Sequence, residues 1–524
     1  MALRVACIGG GPGGLFFSTL FKQTVPDADV VLFERNQATD AFGFGVVFSD
    51  ATLNRINDAD PVVRDGLRDH GTHWDDIEVW LKGEQKSFTG NGMAAIYRKT
   101  LLKLMQERAS EVGVDMRFGQ YVPELSQLDG FDLIVGADGA NSSTREQLGE
   151  SLGHTSETAT AKFIWFGTTY KFSGLTFVHR QSEFGNFAVH GYPISEDLST
   201  FIVETDEATW RKAGLDEFDA SQPPGPSDLK TQRFLEKLFA EDIAGEPLVA
   251  NNSRWANFRT RRTRSWHKGN VVLLGDAVHT AHFSVGSGTK MAMEDAITLV
   301  REIAAHQDDL ETAFTNYESE RQPQVAKIQN QARGGLSWWE HFARYYNSFD
   351  PTQFTFHFFS RSIDIDKIRQ RDPGLVEAAE KDWLAKHGNS PLETSLSAGS
   401  VEFEGRRLSL THQGSQPALT GPGGSLALTT APADADATTG LLLTAPDTEE
   451  GLAAAFGQLP DQAAAIVIQG GNPFTRILLS EEARLGRGLT SVIVEDRGPL
   501  SALTLVLSGR TDAVATESTE ATDA

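Results

Sequence analysis

Hydrophobic and polar residues change their spacing several times along the chain, and each change predicts a different element. Residues 3–9 form an apolar run that glycines end, residues 14–24 place apolar positions at helical spacing, and residues 29–34 form a second apolar run. This order of strand, helix and strand predicts a βαβ unit at the N-terminus.

A mixed α/β pattern continues after this unit. Residues 131–140 predict a buried strand that ends in a polar turn, and residues 155–260 alternate in short aromatic-rich runs that predict antiparallel strands. Helical spacing returns after Asp276 and continues to about residue 390. A helix is also predicted at residues 99–112, with four apolar residues on one face: Leu101, Leu102, Met105 and Ala109.

The last part of the chain is acidic and poor in aromatic residues. Its stretch 415–440, rich in Gly, Pro and Thr, is predicted to be a loop or linker. The apolar runs AAAIVIQ, SVIVE and LTLVL predict folded elements. Residues 391–512 are therefore interpreted as a small α/β extension, and residues 513–524 as a disordered tail.

Composition narrows the class of protein. With 524 residues, 40% hydrophobic and 23% charged, the chain can build a large core or two or three packed units. A net charge of −24 disfavours nucleic acid and anionic membrane as partners, because both are negatively charged. Cys7 is the single cysteine, so we expect no internal disulfide and no thiolate metal site. Without a signal-peptide or membrane-span pattern, a cytoplasmic protein is expected.

The run CIGGGPGGLFFS places Gly9, Gly11 and Gly14 in a G-x-G-x-x-G frame between the first strand and helix. The first glycine permits a tight turn, the second lets a pyrophosphate approach the backbone, and the third lets helix and strand pack closely. Glu34 ends the second strand, where a carboxylate can meet a ribose. The frame predicts a dinucleotide site, the alternative being a glycine-rich turn without a ligand.

Two further features are weaker when taken alone. Asp138 and Gly139 follow a strand in IVGADGANSSTR, and Arg145 comes in the next turn. The alternative to a ligand site is an Asx-turn that only caps the strand end. Arg98 precedes the predicted helix and is a candidate phosphate ligand, the alternative being an ordinary surface arginine.

The stretch GDAVHTAHFSVGSGTKMAMEDA at residues 275–296 combines an acid, two histidines and several glycines. Asp276 at a strand end can accept a hydrogen bond from a polyol hydroxyl. Gly286 and Gly288 allow a flat ring to approach the backbone, and the helix that begins near Thr289 favours an anionic group at its N-terminus.

In this order and at these separations, the glycine run, the DG turn and the GD turn resemble the group A flavoprotein aromatic monooxygenases, the para-hydroxybenzoate hydroxylase fold. The resemblance covers residues 1 to about 390. It implies one FAD, hydride from NAD(P)H, and dioxygen activated as a flavin C4a-hydroperoxide that hydroxylates an aromatic substrate. The implied cofactor-binding residues are Gly9, Gly11, Pro12, Gly14, Glu34, Arg35, Val46, Arg98, Val122, Asp138, Asp276, Gly286, Gly288 and Thr289.

Several longer stretches resemble a narrower subgroup, the salicylyl-CoA 5-hydroxylase and 2-aminobenzoyl-CoA monooxygenase type. Its members act on aromatic acids held as CoA thioesters, and a homodimer is common in the family. One departure from the family pattern is Ser284, where many members have proline. The stretches that carry the subgroup resemblance are residues 43–53, 163–169, 199–218, 275–296 and 358–375.

The resemblance also implies a fold and domain boundaries. We expect an α/β fold with a Rossmann-like FAD-binding domain from residues 1–154 and 261–390, including a helical segment. An antiparallel-sheet substrate domain is inserted at residues 155–260, and the small α/β extension and the tail follow.

Some relatives carry a second, FMN-binding barrel after the monooxygenase part. A complete (β/α)₈ barrel needs about 200 residues, which is more than this chain has left. Residues 505–514, with Gly509 and Arg510, resemble the phosphate-binding end of that barrel. We interpret the extension as a shortened remnant that does not bind FMN, the alternative being an unrelated packing extension. The reductive activity is then expected to be lost, and free aromatic or tropone acids join CoA thioesters as candidate substrates.

Candidate catalytic residues come from the predicted sheet and from the loop after Asp276. His190 and Tyr192 share one face of the strand NFAVHGYP, and His282 lies in the loop where flavin and substrate are expected to meet. A structural role is the alternative for each of them. His279 is expected to tie down the GD turn.

Three hypotheses of function remain open at this point. The first is an aromatic hydroxylase that consumes NAD(P)H and dioxygen. The second couples ipso attack to decarboxylation of a free aryl or tropone acid, and the third is an FAD-binding protein without turnover. NAD(P)H oxidation and product mass separate them.

Overall fold

The computed structural model describes most of the chain as helices, strands and short loops. The described residues are 3–49, 53–219, 225–413 and 416–518. They divide into two compact units, the first made of Met1–Leu81 and Gly90–Glu340, the second of Lys82–Thr89 and His341–Ala524.

Strands occur throughout the chain. Up to residue 280 they are β1 (Arg4–Ile8), β2 (Asp29–Glu34), β3 (Gly45–Ser49), β4 (Thr72–Trp74), β5 (Ile77–Leu81), β6 (Glu84–Phe88), β7 (Met93–Tyr97), β8 (Asp115–Phe118), β9 (Leu133–Gly136), β10 (His154–Thr168), β11 (Leu175–Gln181), β12 (Asn186–Pro193), β13 (Ser199–Thr205), β14 (Leu248–Val249), β15 (Ala256–Thr263), β16 (His267–Lys268) and β17 (Val271–Leu273). The later strands are β18 (Leu396–Ala398), β19 (Val401–Phe403), β20 (Arg407–Gln413), β21 (Gln416–Gly421), β22 (Gly424–Thr429), β23 (Gly440–Thr444), β24 (Ile466–Gln469), β25 (Ser491–Val494) and β26 (Ala513–Glu517).

The helices alternate with these strands at first and then follow one another. They are α1 (Pro12–Thr24), α2 (Asn54–Ala59), α3 (Val62–His70), α4 (Arg98–Glu111), α5 (Ser143–Leu148), α6 (Glu207–Lys212), α7 (Leu229–Leu238), α8 (Gly288–Ala305), α9 (Leu310–Ser348), α10 (Pro351–Phe359), α11 (Ile365–Arg371), α12 (Pro373–His387), α13 (Leu452–Phe456), α14 (Pro473–Glu481) and α15 (Pro499–Leu507).

The N-terminal βαβ prediction is confirmed by a sheet with the order β16-β17-β9-β1-β2-β8. Its pairings are parallel except for β16 with β17. Apolar residues of β1, β9 and β17 are buried, as expected for a sheet covered on both faces. Because parallel strands end at one edge, the loops after β1, β9 and β17 lie side by side, and these loops carry the three motifs.

The predicted antiparallel strands form a second sheet, in which β14, β10, β13, β12, β11 and β5 follow one another and β15 pairs with β10. One face packs on α7 through residues such as Phe187, Phe201 and Leu235. The other face carries His190 and Tyr192, in agreement with the predicted alternation. Strand β5 joins this sheet from outside the predicted range, by parallel pairing with β11.

A smaller sheet of the order β3-β7-β4 precedes α4. The four residues predicted to form the apolar face of the helix at 99–112 are all buried in α4. The Arg98 backbone N–H donates to the Phe44 carbonyl at 2.7 Å, which fixes the beginning of the helix beside the end of β7.

The second unit contains a closed barrel made of β20 to β26. Its first three strands pair antiparallel, whereas the pairings from β22 onward, including the closing pair of β26 with β20, are parallel. One apolar cluster includes residues from all seven of these strands, such as Leu410, Leu419, Leu442, Val467 and Val492. The extension is therefore a compact seven-stranded barrel.

Two predictions in this region are wrong. The stretch predicted to be a linker contains β21 and β22, in which Leu419, Leu426 and Leu428 are buried in the barrel. These strands are short, and their turn residues dominate the composition. The predicted tail begins with β26, whose Ala513 and Ala515 join the same core, while residues 519–524 lie outside the described part. Alanine favours strands weakly, so its alternation gave little indication of one.

The division into compact units also differs from the predicted boundary at residue 390. Helices α10 to α12 belong to the second unit rather than to the FAD-binding domain. The Ile365 N–H donates to Thr504 Oγ1 at 3.0 Å, and Arg510 donates to Ser360 Oγ at 2.8 Å. Contacts of this kind connect the helices to the last helix and strand of the barrel. The predicted fold class, α/β with an antiparallel-sheet part, a helical segment and a C-terminal extension, is confirmed.

Candidate active site

The glycine run after β1 has the shape that a bound pyrophosphate requires. A Cβ built on Gly14 would lie 2.0 Å from the Gly9 carbonyl oxygen, and a Cβ on Gly9 would lie 2.3 Å from the Ala137 oxygen. A Cβ on Gly11 would meet no heavy atom within 4 Å. The first and third glycines are thus packed against protein, while the second borders open space at the N-terminus of α1, where an anion is favoured. These residues fit the phosphates of FAD.

Glu34 closes this loop from the end of β2. Its Oε2 accepts from the Gly10 N–H at 2.7 Å, and its Oε1 accepts from the Asn36 backbone and side-chain nitrogens at 2.8 and 2.7 Å. A carboxylate can accept about four hydrogen bonds, so room remains for one more. Glu34 therefore shapes the loop, and its predicted contact with the ribose stays a prediction.

Asp138 performs the capping role that was its structural alternative. Its carboxylate accepts from Ser142 Oγ at 2.5 Å and from the Thr144 N–H and hydroxyl, both at 3.0 Å. Arg145 follows in α5, and its guanidinium donates to the Ala277 carbonyl at 2.8 Å. The DG and GD loops are thereby joined, which holds the edge of the sheet in one shape.

Arg98 and Asp276, predicted as cofactor ligands from distant parts of the sequence, lie close enough to interact. The Asp276 carboxylate offsets the burial that lowers the pKa of Arg98. The Asp276 side chain is itself solvent-exposed, yet surrounding protein raises the pKa of its carboxyl. A carboxylate that is both exposed and surrounded lies on the wall of a concave space, as a ligand of the ribityl chain would.

The GD turn is held by a buried ionic network. Asp295 of α8 accepts from the Gly275 N–H at 3.0 Å, lies 2.7 Å from His279 Nε2, and accepts from Arg321 Nε at 2.8 Å. Neither Asp295 nor Arg321 is exposed. The expectation that His279 ties down the GD turn is therefore confirmed, and Asp295 is the residue through which it does so.

The remaining predicted cofactor residues differ in their exposure and in their position in the fold. Gly286 has a left-handed φ of +59°, and a Cβ on Gly288 would meet no atom within 4 Å, so the loop before α8 is open on this side. Pro12 begins α1, and Val46 and Val122 are buried, so their predicted contacts with the cofactor stay predictions. Arg35 is exposed after β2, and Thr289 is half-buried in the first turn of α8.

A buried carboxyl lies between two histidines, one from β12 and one from the loop after the GD turn. Glu204 Oε1 lies 2.8 Å from His190 Nε2, and Glu204 Oε2 lies 3.9 Å from His282 Nε2. Exposure is 1% for the Glu204 side chain and 4% and 2% for His190 and His282. The structure thus brings the two predicted histidines to one carboxyl.

Aromatic rings surround this cluster. The Trp339 ring lies 4.2 Å from the His190 ring, and the Phe283 ring lies 4.1 Å from His282 and 5.6 Å from His190, measured between centroids. Phe258 and Phe163 pack on the same loop, at 4.9 Å from His282 and 5.0 Å from Phe283. Such walls exclude water and suit an aromatic guest.

Tyr192 lies on the same sheet face but in different surroundings. Its ring stacks on Trp74 at 6.2 Å, its hydroxyl donates to the Gly45 carbonyl at 3.5 Å, and burial raises its pKa to about 12. The charge of Arg98 acts on it in the opposite direction. Tyr192 therefore interacts with β3 and with Arg98 rather than with the histidine cluster.

Glu204, Asp295 and Trp339 did not appear among the residues predicted from sequence. Glu204 had a recognisable indication, because it is a carboxylate in STFIVET, a run otherwise typical of a buried strand. Asp295 lies in α8 among buried apolar residues, which is a similar indication. Trp339 had none, because the position of α9 against the sheet cannot be inferred from periodicity.

Comparison with known proteins agrees with this geometry. Residues 131–332 match a family model described as an FAD binding domain. Over 517 residues the chain is 53% identical to the salicyloyl-CoA 5-hydroxylase of a Streptomyces species, covering 98% of this chain and 99% of that protein. It is 34% identical to the 3-hydroxy-4-methyl-anthranilyl-(aryl-carrier protein) 5-monooxygenase of Streptosporangium sibiricum, over 64% of this chain and 89% of that one.

A solved structure of a mutant of 2-methyl-3-hydroxypyridine-5-carboxylic acid oxygenase has the same fold, with a TM-score of 0.53 at 20% identity over 69% of this chain and 99% of that one. The fold and the site thus define a flavoprotein of the aromatic monooxygenase class. The chain belongs to the FAD-dependent aromatic monooxygenases, in the branch that includes the salicyloyl-CoA 5-hydroxylase, and uses FAD with NAD(P)H as co-substrate.

Two structural findings bear on other partners. Within the described ranges, no helix combines the length and apolar character needed to cross a membrane. Among the same residues, no group of three or more His, Cys, Asp and Glu side chains is arranged to hold a metal ion.

The position of Asp276 leads to a prediction about FAD binding. We expect Asp276→Ala to raise the Kd for FAD by about 10- to 100-fold, because a hydrogen bond to a charged group contributes about 1.5–3 kcal/mol. Removal of this carboxylate also leaves Arg98 without the charge that offsets its burial, so the thermal stability of the apo-protein is measured beside FAD binding. FAD titration of the apo-variants measures the effect. The Kd of Asp276→Asn is expected to lie between those of wild type and Asp276→Ala. A variant that keeps tightly bound FAD and full activity would contradict the proposed placement of the GD loop.

Proposed function

We propose that the protein hydroxylates an aromatic acid held as its CoA thioester, with salicyloyl-CoA as the first candidate and the carbon para to its ring hydroxyl as the position. One observation carries the proposal. The loop after β17 holds Asp276 on the cofactor side and, six residues later, His282 in the aromatic-lined cluster, so a flavin and an aromatic ring would meet across one short segment. The 53% identity to the Streptomyces hydroxylase over nearly its whole length favours the CoA-linked substrate.

The reaction needs an electron-rich ring and a dry site. An ortho-hydroxy aromatic thioester becomes more reactive para to its oxygen when the hydroxyl loses its proton. The buried histidines and Glu204 can bind that oxygen and manage its proton, while Trp339 and Phe283 exclude water. The residues thus act on the substrate rather than on oxygen.

Bound FAD supplies the oxygen chemistry after reduction by NAD(P)H. The balance is one substrate, one NAD(P)H, one proton and one O₂ in, and one hydroxylated product, NAD(P)⁺ and water out. The glycine loop and Asp276 would hold the cofactor, and the buried cluster would hold the substrate ring.

We further propose that the C-terminal barrel is structural and binds no FMN. Its apolar cluster includes Leu410, Val467 and Val492, and the guanidinium of Arg510 is used within the fold, donating to Ser360 Oγ and to the His357 carbonyl at 2.7 Å. Arg510 also lies 3.8 Å from Glu481. A phosphate would have to compete with these partners. Location in the cytoplasm, where NAD(P)H and acyl-CoA are available, and a homodimer remain our expectations.

The test is turnover against a defined panel. The purified, FAD-loaded protein is mixed with NADH or NADPH and with salicyloyl-CoA, free salicylate, 2-aminobenzoyl-CoA or a tropone carboxylate, and the product mass is determined. We expect stimulated NAD(P)H oxidation and a gain of one oxygen with a CoA thioester. A gain of oxygen with loss of CO₂ from a free acid would instead establish ipso attack. No stimulation by any compound would support an FAD-binding protein without turnover.

A further inference from the structure

Glu204 is placed where a proton acceptor for the substrate would be needed. It lies in β13 directly opposite Phe163 of β10, on the sheet face that also carries His190. His190 Nε2 approaches Oε1 to 2.8 Å, so this histidine lies beside one carboxyl oxygen. The other oxygen, Oε2, is directed toward His282 Nε2 at 3.9 Å, a distance too long for a direct hydrogen bond.

Ser284 determines which nitrogen of His282 carries the hydrogen. The Ser284 backbone N–H donates to His282 Nδ1 at 3.3 Å, and its hydroxyl lies 2.8 Å from the same nitrogen. Because a backbone N–H can only donate, Nδ1 must accept, and the neutral ring then has its hydrogen on Nε2. The serine thus makes His282 a hydrogen-bond donor toward Glu204.

A donor and an acceptor 3.9 Å apart can share one bridging oxygen. Such an oxygen would lie about 2.8 Å from each of them, the usual hydrogen-bond distance. His282 in this tautomer can donate at Nε2 but cannot accept a proton there, so proton acceptance falls to the carboxyl.

We propose that Glu204 takes the proton of the substrate's ring hydroxyl while His282, fixed by Ser284 as the Nε2–H tautomer, donates a hydrogen bond to the same oxygen. The O–H bond of the ring breaks, the proton joins Glu204 Oε2, and the electron pair stays on the ring oxygen. The inference rests on the proposed function for the identity of the substrate, but not for the state of the three side chains.

The electrostatics of the cluster support a carboxyl that exchanges its proton. Burial raises the pKa of Glu204 well above 4.5, and the nearby carboxylate of Glu340 raises it further. The groups that face Glu204 are His190 from β12, His282 from the loop and Glu340 from α9. A base whose pKa is moved toward the working pH is effective in proton transfer.

The first experiment needs no substrate. In ¹⁵N-histidine-labelled holoenzyme near neutral pH, we expect the His282 resonance, assigned by its loss in His282→Gln, to show an unprotonated Nδ1 and a protonated Nε2. Ser284→Ala keeps the backbone donor and should keep this tautomer, whereas Ser284→Pro should lose the preference. A protonated Nδ1 in the wild type would overturn the assignment of His282 as donor.

Infrared difference spectra of wild type against Glu204→Gln report on the carboxyl itself. We expect a protonated-carboxyl band that persists above the ordinary pKa of 4.5 and disappears as the pH rises further. Glu340→Gln removes the neighbouring negative charge and should move this titration to lower pH. A Glu204 that is ionised throughout this range would refute its role as a tuned proton acceptor.

The kinetic experiment separates proton transfer from packing. We expect Glu204→Gln to lower kcat about 100-fold or more with little change in KM, and to abolish the rise of kcat with pH. Glu340→Gln should stay within a few-fold of wild type, and His282→Gln, which keeps an N–H donor, should retain more activity than His282→Leu. Equal kcat in wild type and Glu204→Gln would overturn the proposal. Absence of turnover with every compound would contradict the proposed function, while the two spectroscopic results would still decide the inference.

Discussion

Gly14→Ala is expected to prevent folding of the FAD-binding sheet, whereas Gly11→Ala is expected to fold and lose FAD. A Cβ at Gly14 would lie 2.0 Å from the Gly9 carbonyl oxygen and 3.2 Å from Cys7 Sγ, so α1 could not keep its packing on the sheet. The clash involves backbone, and a rotamer change cannot relieve it. We expect Gly14→Ala to be recovered mainly as insoluble protein.

Gly11→Ala is the matched control and the more informative variant. Its methyl group would meet no heavy atom of the protein within 4 Å. The backbone at this position, with φ −76° and ψ 176°, is also one that alanine adopts readily. The apo-protein should therefore have wild-type circular dichroism and thermal stability. If a pyrophosphate approaches the backbone here, the methyl group occupies its space, and the Kd for FAD should rise at least about tenfold.

Titration of apo-protein with FAD, followed by flavin fluorescence, measures the effect. Wild-type affinity in Gly11→Ala would mean that the phosphates do not pass this glycine. Normal folding of Gly14→Ala would mean that α1 and β1 are farther apart than the structure has them.

The cofactor half of the site could be predicted from sequence because its parts lie at the ends of strands. Glycines after an apolar run, a DG turn and a GD turn each follow a strand, and parallel strands bring their carboxyl ends to one edge. The order β17-β9-β1-β2 then places the motifs and Glu34 next to one another. Only local patterns were required. For Asp138 the structure shows capping contacts, and its predicted contact with the cofactor stays a prediction.

The substrate half could be predicted only in part. Strand alternation placed His190 and Tyr192 on one face of the sheet, and the loop after Asp276 suggested His282. Glu204 lies beside these histidines only because β13 pairs with β12 and because a loop distant in sequence approaches the sheet. The register that sets such contacts depends on several strands at once. An acidic residue in an apolar strand was the available indication.

The prediction of the C-terminal region was wrong for a different reason. Its strands are four to seven residues long, several are rich in leucine, alanine or threonine, and glycine-containing turns separate some of them. The strand propensity of such short segments is too weak to be recognised in a stretch whose composition is typical of turns. Closure between β20 and β26, which are about a hundred residues apart in the chain, stabilises strands that would not be stable alone.

Asp295→Ala is expected to cost about 3–5 kcal/mol of the free energy of unfolding of the first unit. Asp295 and Arg321 are both fully buried and paired at 2.8 Å, so removal of the carboxylate leaves an uncompensated charge in the core. His279 and the Gly275 N–H lose their partner at the same time. The GD turn should loosen, and FAD should be retained less well even though Asp295 is not expected to touch it.

The pH dependence of this contribution follows from the direction of the pKa shift. Burial alone would raise the pKa of Asp295, but His279 and Arg321 outweigh it and lower the pKa below 3.8. The folded protein therefore binds this proton less tightly than the unfolded chain does. The stabilisation is complete above pH 3.8 and is lost as the pH falls through the lower folded value.

Urea unfolding followed by tryptophan fluorescence, at neutral pH and at pH values below 3.8, measures both effects. The difference between wild type and Asp295→Asn should be large at neutral pH and should shrink as the pH falls below 3.8. Glu294→Gln is the matched control, since this neighbour also contacts Arg321, at 3.2 Å, but has Lys290 as a second partner and should cost less than Asp295→Asn. Equal free energies of unfolding for Asp295→Asn and wild type would contradict this prediction. They would show that contacts other than those with Asp295 of α8 hold the GD turn.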